Sequence, residues 1–151
     1  MSFSPMLFLA GVLGVTAAAW AWELAARAGR RHRVQAIAGK WQMHYSEGDR
    51  FHLAPRVAEQ FPVYGAADVR VADVVYGVRG ARHYYIFTAE FTEGVVRTKH
   101  RRWRVAALSE GRGQAAEGPG IKITLAPEGM GLVEQYEHLA QLEAEQKIAQ
   151  E

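Results

Sequence analysis

The part of the chain best suited to bind a ligand is a run of basic side chains that includes one tryptophan, residues 97–104. Side chains of an extended strand alternate between two faces, so this run would present cations on both faces. Each cation near a membrane contributes about 1 kcal/mol to the attraction of anionic headgroups. We therefore expect contacts with anionic lipid at the following residues: Arg30, Arg31, Arg33, Lys99, Arg101, Arg102 and Arg104.

The same basic run has two other interpretations. Lys and Arg on an exposed edge strand prevent association with the edges of other sheets, which requires no ligand. Basic residues interleaved with Trp103, Tyr84 and Tyr85 could also hold phosphates and stack on nucleic-acid bases. However, the chain has no recognised nucleic-acid-binding motif, and its C-terminal part is acidic. The sequence therefore argues against nucleic acid as a partner.

Two carboxylates, Asp73 and Glu90, lie within β-favouring segments and could face each other across a hairpin. A paired, partly buried acid could perform acid–base chemistry. Cross-strand ion pairs are the competing interpretation, and their possible cations are Arg70, Arg79, Arg82 and Arg97. Since no nucleophile, base and orienting group occur together, ion pairing is favoured, and we predict no catalytic residues.

A metal site is also considered, because His44, Asp49 and His52 lie close together in the sequence. Their spacing matches no standard zinc pattern, and the chain has no cysteine. The glycine-rich segment 111–120 contains neither GxxxxGK[ST] nor GxGxxG, the phosphate-binding patterns. We therefore expect neither a metal nor a cofactor.

The elements that would position these residues begin with an uncharged stretch, Phe3 to Trp22, which Glu23 follows. A helix rises about 1.5 Å per residue, so this stretch can cross a hydrocarbon layer of about 30 Å. We predict a transmembrane anchor over residues 1–26. One alternative is a helix that is merely buried in a protein core. The other is a secretory signal cleaved after Ala19 or Ala21, but a signal carries its positive charge before the apolar region, whereas here the charge follows it.

The orientation of this anchor follows from its flanking charges. No Lys or Arg precedes the uncharged stretch, and Arg27, Arg30, Arg31 and Arg33 follow it. The positive-inside rule then places the short N-terminus outside and the rest of the chain in the cytoplasm. Absence of cysteine fits a reducing compartment. We therefore expect a single-pass protein of the bacterial inner membrane.

The rest of the chain predicts a soluble α+β domain over residues 27–135 and a helical, partly mobile tail over 136–151. Short turns between β-rich segments favour an antiparallel sheet. Apolar residues on both faces of the segment 83–91 favour a central position for that strand. The predicted helices are 27–38, 50–61 and 130 onward; the predicted strands are 41–45, 69–78, 83–91, 95–107 and 121–125; turns are predicted at 46–49 and 92–94, and a loop at 109–120.

This soluble part resembles a group of uncharacterised bacterial proteins, common in high-GC Gram-positive genomes, that place a compact domain after one membrane helix. The shared segments are Ala36–Trp41 with Tyr45, Ala72–Gly77, His83–Phe87 and Ile121–Pro127. The resemblance implies a membrane-anchored α+β domain and transfers no activity or site residues.

Together these features predict a membrane-tethered, non-enzymatic interaction or scaffold module with the bilayer and a protein as partners. The alternative is a small membrane-associated enzyme or ligand-binding domain. That alternative requires an open polar pocket around Asp73, Glu90 and Tyr85, whereas the module requires only a closed core.

Overall fold

The computed structural model describes residues 5–79, 82–94, 100–111 and 121–148. Its elements, in chain order, are α1 (Pro5–Lys40), β1 (His44–Gly48), α2 (Leu53–Gln60), β2 (Ala67–Arg79), β3 (Arg82–Glu93), β4 (His100–Gly111), β5 (Ile121–Leu125) and α3 (Leu132–Ile148). The chain divides into two compact units, Met1–Arg33 and Val34–Glu151.

In the first unit, the apolar side chains of α1 are exposed, among them Leu9, Leu13 and Trp20. The most apolar 18-residue window of α1 has a mean hydropathy of 1.6, and none of its residues is buried. Leucine and tryptophan are rarely left in water in such number on one helix. The described residues thus contain one helix that is long and apolar enough to cross a membrane, as predicted.

The second unit is built on a five-stranded antiparallel sheet with the order β1-β2-β3-β4-β5. The hairpin partners β3 and β4 pair along their whole length, from Arg82 opposite Gly111 to Glu93 opposite His100. The predicted α+β class is confirmed, and β3 is the central strand as its two apolar faces indicated.

Helices cover both faces of this sheet. On one face, Leu53 and Val57 of α2 pack in a buried cluster with Phe87 and Leu108. On the other face, Tyr136 and Leu139 of α3 belong to a second buried cluster, which also contains Val34 and Ile37 of α1. Burial on both sides explains why the middle strands are apolar at successive positions instead of alternate ones.

Several predicted boundaries are wrong by a few residues, among them the start of α2, which is Leu53 instead of residue 50, and the end of β3, which is Glu93 instead of residue 91. Strand β1 begins at His44 instead of Trp41, because Trp41 and Gln42 form the turn that follows α1, with Gln42 at φ 55°. Residues 46–48, predicted as a turn, therefore lie in β1. Strand β4 extends to Gly111 instead of residue 107, since it pairs with the whole of β3. The predicted strand start at 95 and the loop residues 112–120 lie outside the described residues.

The C-terminal helix forms where its composition predicts. One face of α3 packs in the buried cluster on the sheet through Leu132, Tyr136, Leu139 and Leu142. Residue 136, where the separate tail was expected to begin, lies within α3. The side of α3 that faces the sheet is therefore packed against the buried cluster from Leu132 to Leu142.

Candidate functional site

The described part of the basic run forms the first half of β4 and lies at the edge of the sheet. Strand β5 pairs with β4 only from Ala106 to Glu110. Next to this pairing, the Val105 carbonyl accepts a hydrogen bond from the Ala126 amide (2.9 Å), and the Val105 amide donates to Gln135 Oε1 (3.2 Å). Within the described part of the chain, residues 100–104 consequently pair only with β3.

Each arginine of this segment is paired with a glutamate. The separations are 2.7 Å from Arg101 Nη2 to Glu90 Oε2, 3.1 Å from Arg102 Nε to Glu93 Oε2, and 3.0 Å from Arg104 Nη1 to Glu128 Oε1. These three contacts are called the β4 ion pairs below. Because the six side chains carry no net charge, their attraction for a distant anionic surface is weaker than the basic run alone suggested.

Sequence reasoning overlooked Glu93 and Glu128 as partners of these arginines. Glu93 could have been found, since antiparallel pairing of β3 with β4 places it opposite His100, two residues from Arg102. Glu128 follows the end of β5, and nothing in its sequence position indicates a contact with Arg104.

The other expected lipid contacts occupy different places. Arg30, Arg31 and Arg33 are exposed residues of α1 within the first unit. Lys99 lies outside the described residues, as does Arg97. Of the predicted set, the structure brings together Arg102 and Arg104, which line one cleft.

That cleft has a volume of about 380 Å³ and lies at the start of β4. Its polar wall includes Arg102 and Arg104 together with their ion-pair partners Glu93 and Glu128, and its apolar wall includes Val63, Trp103 and Met130. A volume in this range suits a small ligand. The cleft therefore offers cationic donors beside an apolar surface, which is the chemistry of a site for an anion with an apolar part.

The two carboxylates considered for acid–base chemistry do not form a pair. Asp73 lies in a β-bulge of β2, where Ala72 pairs with Thr88 but Val75 pairs with Ile86. Glu90 lies opposite Arg70 and forms its ion pair with Arg101. The favoured interpretation of Glu90 as an ion-pair partner holds, although Arg101 was not among the cations considered.

Asp73 instead belongs to a buried polar cluster, called the Asp73 cluster below. Asp73 is only 5% exposed. Its carboxylate accepts a hydrogen bond from the Tyr45 hydroxyl (2.7 Å). The Asp73 backbone carbonyl accepts a hydrogen bond from the Tyr136 hydroxyl (2.6 Å). The oxygen of this Tyr136 hydroxyl also lies 3.0 Å from Thr88 Oγ1. These contacts join α3, β1 and β3 to the bulge, so the cluster has a structural role.

The residues considered for metal binding are also occupied by structural contacts. The Asp49 carboxylate accepts hydrogen bonds from the amides of Leu53 (2.7 Å) and Ala54 (2.8 Å). These amides lie in the first turn of α2, where an amide has no acceptor within the helix itself. The His44 ring lies 5.4 Å from the ring of Tyr76. Within the described residues, no three His, Asp or Glu side chains are grouped so that they could hold a metal ion.

No family model matches this chain, and no curated protein or solved structure matches it either. A function can therefore be proposed only from the residues of this chain and their geometry.

Proposed function

We propose that the chain is a single-pass inner-membrane protein whose sheet domain is a non-enzymatic interaction module on the cytoplasmic side. The observation that carries this proposal is the exposed apolar part of α1, joined in one chain to a domain whose sheet is covered by helices on both faces. Exposed leucine, phenylalanine and tryptophan side chains on a helix of this length are stabilised by lipid and not by water.

The covered sheet supports an interaction module over an enzyme. Tyr85 and Asp73 are buried, and Glu90 is paired with Arg101. The enzyme alternative requires an open polar pocket around these three residues, whereas two of them are covered by other parts of the domain and the third is bound to Arg101. A partner protein is proposed to bind the outer surface of the domain, and anionic headgroups are proposed to contact Arg30, Arg31 and Arg33.

The membrane anchor can be tested by cell fractionation of the full-length chain. We expect the parent protein to remain in the membrane pellet after an alkaline carbonate wash. The double variant Leu9→Arg/Leu13→Arg should lose this retention, because each arginine near the middle of a membrane helix costs about 2.5–3.5 kcal/mol of insertion free energy.

The matched control is Leu24→Arg, which adds an arginine beyond the uncharged stretch and should keep the protein in the membrane. Recovery of the parent in the soluble fraction would overturn the anchor. A mature protein that begins near Trp22 would overturn it in favour of a cleaved signal.

The orientation can be tested separately because the chain has no cysteine. Tyr64 is fully exposed, so Tyr64→Cys provides a single reactive thiol on the sheet domain. A membrane-impermeant maleimide should label it only after the bacterial cells are lysed. Labelling in intact cells would contradict the cytoplasmic location and leave the anchor itself unaffected.

A further inference from the structure

We propose that the cleft beside Trp103 and Arg104 binds a small ligand that carries a carboxylate or phosphate next to an apolar group. This proposal is independent of the membrane anchor, since every residue that it uses belongs to the unit Val34–Glu151. The ligand-binding alternative is thereby located at the edge of the sheet and not around Asp73.

The anion-binding half of the site is centred on Arg104. Its side chain is 23% exposed, and its Nη2 donates a hydrogen bond to the Ala126 carbonyl (2.9 Å). This backbone contact holds the guanidinium in place and leaves Nη1 directed to the Glu128 carboxylate. A positioned guanidinium binds carboxylate and phosphate groups well, because less side-chain freedom is lost when the ligand arrives.

Glu128 behaves as an internal competitor for the same donor. Its side chain is 78% exposed, and its carboxylate lies 3.0 Å from Arg104 Nη1. Exposed ion pairs contribute little net free energy and can exchange partners. An external anion could therefore replace the Glu128 carboxylate at Arg104, while Glu128 turns into solvent.

The apolar half of the site is formed by side chains that the fold leaves unusually open. Trp103 is 48% exposed and Met130 is 37% exposed, although large apolar side chains of this unit are otherwise mostly buried. Both residues line the cleft together with Val63. Burial of an aromatic or aliphatic ligand group against this wall would remove apolar surface from water.

Arg102 supplies a second cation to the cleft. Its Nε lies 3.1 Å from Glu93 Oε2, and its side chain is mostly exposed, so this pair can also open. Two arginines with exchangeable partners match the two or more oxygens of one phosphate or carboxylate.

The experiment uses the full-length chain in uncharged detergent micelles with ¹⁵N-labelled tryptophan. The indole resonance of Trp103 is assigned from its loss in Trp103→Phe, and phenyl phosphate is the probe. We expect a saturable shift of this resonance with phenyl phosphate and a weaker response to inorganic phosphate, which lacks the apolar group. Absence of a saturable shift at Trp103 would overturn the proposal.

Two variants with opposite expected effects distinguish ligand binding from a merely structural role. Arg104→Gln should weaken phenyl phosphate binding by about tenfold or more, since it removes a charge-assisted hydrogen bond. Glu128→Gln should tighten binding by about two- to fivefold, because the competing carboxylate is gone. If Arg104→Gln does not fold, Glu128→Gln still tests the proposal.

Arg101→Gln is the matched control, because Arg101 belongs to the same strand and has a glutamate partner but does not line the cleft. It should leave the dissociation constant of phenyl phosphate within about twofold of the parent value. An unchanged affinity in Glu128→Gln, or an equal loss in Arg101→Gln and Arg104→Gln, would contradict the proposed site.

The natural anion could be a soluble molecule or a lipid headgroup, and one further arm separates these sources. The chain is placed in nanodiscs of pure phosphatidylcholine or of phosphatidylcholine with phosphatidic acid. A Trp103 shift in the phosphatidic acid discs, reversed by phenyl phosphate, supports a headgroup ligand. Equal spectra in both discs, with phenyl phosphate still binding, support a soluble ligand.

Discussion

Two polar regions of the sheet domain, the Asp73 cluster and the β4 ion pairs, differ in their exposure to water and therefore in their roles. The Asp73 cluster joins Tyr45, Asp73, Thr88 and Tyr136 in the interior. The β4 ion pairs contain more charges, yet they lie at the surface, and three of their six side chains are more than half exposed. The number of charges thus does not indicate which region stabilises the fold.

The physical difference is the cost of losing a partner. A buried group that loses its hydrogen bond keeps its full desolvation penalty, about 1–3 kcal/mol. An exposed ion that loses its partner is solvated by water, so the pair contributes only about 0.2–1 kcal/mol. The buried region consequently specifies the structure, whereas the exposed region can exchange its partners for a ligand.

Among the variants of these two regions, the largest loss of stability is expected at Tyr136, whose side chain is fully buried. Tyr136→Ala removes both the ring and the hydroxyl and should lower the free energy of unfolding by about 3–5 kcal/mol. Tyr136→Phe keeps the ring and should lower it by about 1–3 kcal/mol, because the Asp73 carbonyl loses its donor. Urea unfolding of the detergent-solubilised chain, followed by near-UV circular dichroism, measures both. A Phe variant as stable as the parent would contradict the role of the hydroxyl.

A smaller effect is expected at Asp73, which has a positive φ of 51°. Asp73→Ala removes the acceptor of the Tyr45 hydroxyl and places alanine in the left-handed region, so we expect a loss of about 1–3 kcal/mol. Asp73→Asn retains an acceptor oxygen, and asparagine tolerates this backbone conformation. The Asn variant should therefore lose less than the Ala variant in the same unfolding measurement. Equal losses would show that the carboxylate oxygen is not the stabilising feature.

The smallest effect is expected in the β4 ion pairs. A double-mutant cycle with Arg101→Gln and Glu90→Gln should give a coupling free energy of about 0.2–1 kcal/mol at low salt. In 1 M sodium chloride, where the Debye length is about 3 Å, the coupling should approach zero. A salt-independent coupling above about 2 kcal/mol would contradict the stated difference between the two regions, because the exposed pair would then stabilise the fold as a buried group does.

Much of the architecture follows from local patterns. Alternation within 83–91 and apolar residues on both of its faces predicted a central strand, and β3 occupies that position. The packed face of α3 likewise shows helical spacing, at Leu132, Tyr136, Leu139 and Leu142. Both patterns depend only on the periodicity of a single element, which is why they could be recognised without tertiary information.

The candidate site was predicted only in part. The basic residues of β4 were recognised from composition, but their glutamate partners and the cleft were not. Arg104 meets Glu128 and the Ala126 carbonyl only because the chain turns after β5 and returns toward β4. The bulge at Asp73 was also missed. Its extra residue places Val71 and Val74 in the same buried cluster although they are three positions apart, and the apolar Val75 on the other face hides this shift in the alternation.

Local sequence patterns are sufficient to specify an apolar helix long enough to cross a bilayer, a set of β-rich segments in antiparallel order, and a helical C-terminus. These properties depend on the periodicity and hydrophobicity of neighbouring residues, which are local. The folded arrangement, in contrast, sets which polar groups are buried together and which arginines remain able to exchange partners. Pairing across strands and packing of helices depend on residues far apart in the chain, and they set the solvent exposure that gives each polar contact its free energy.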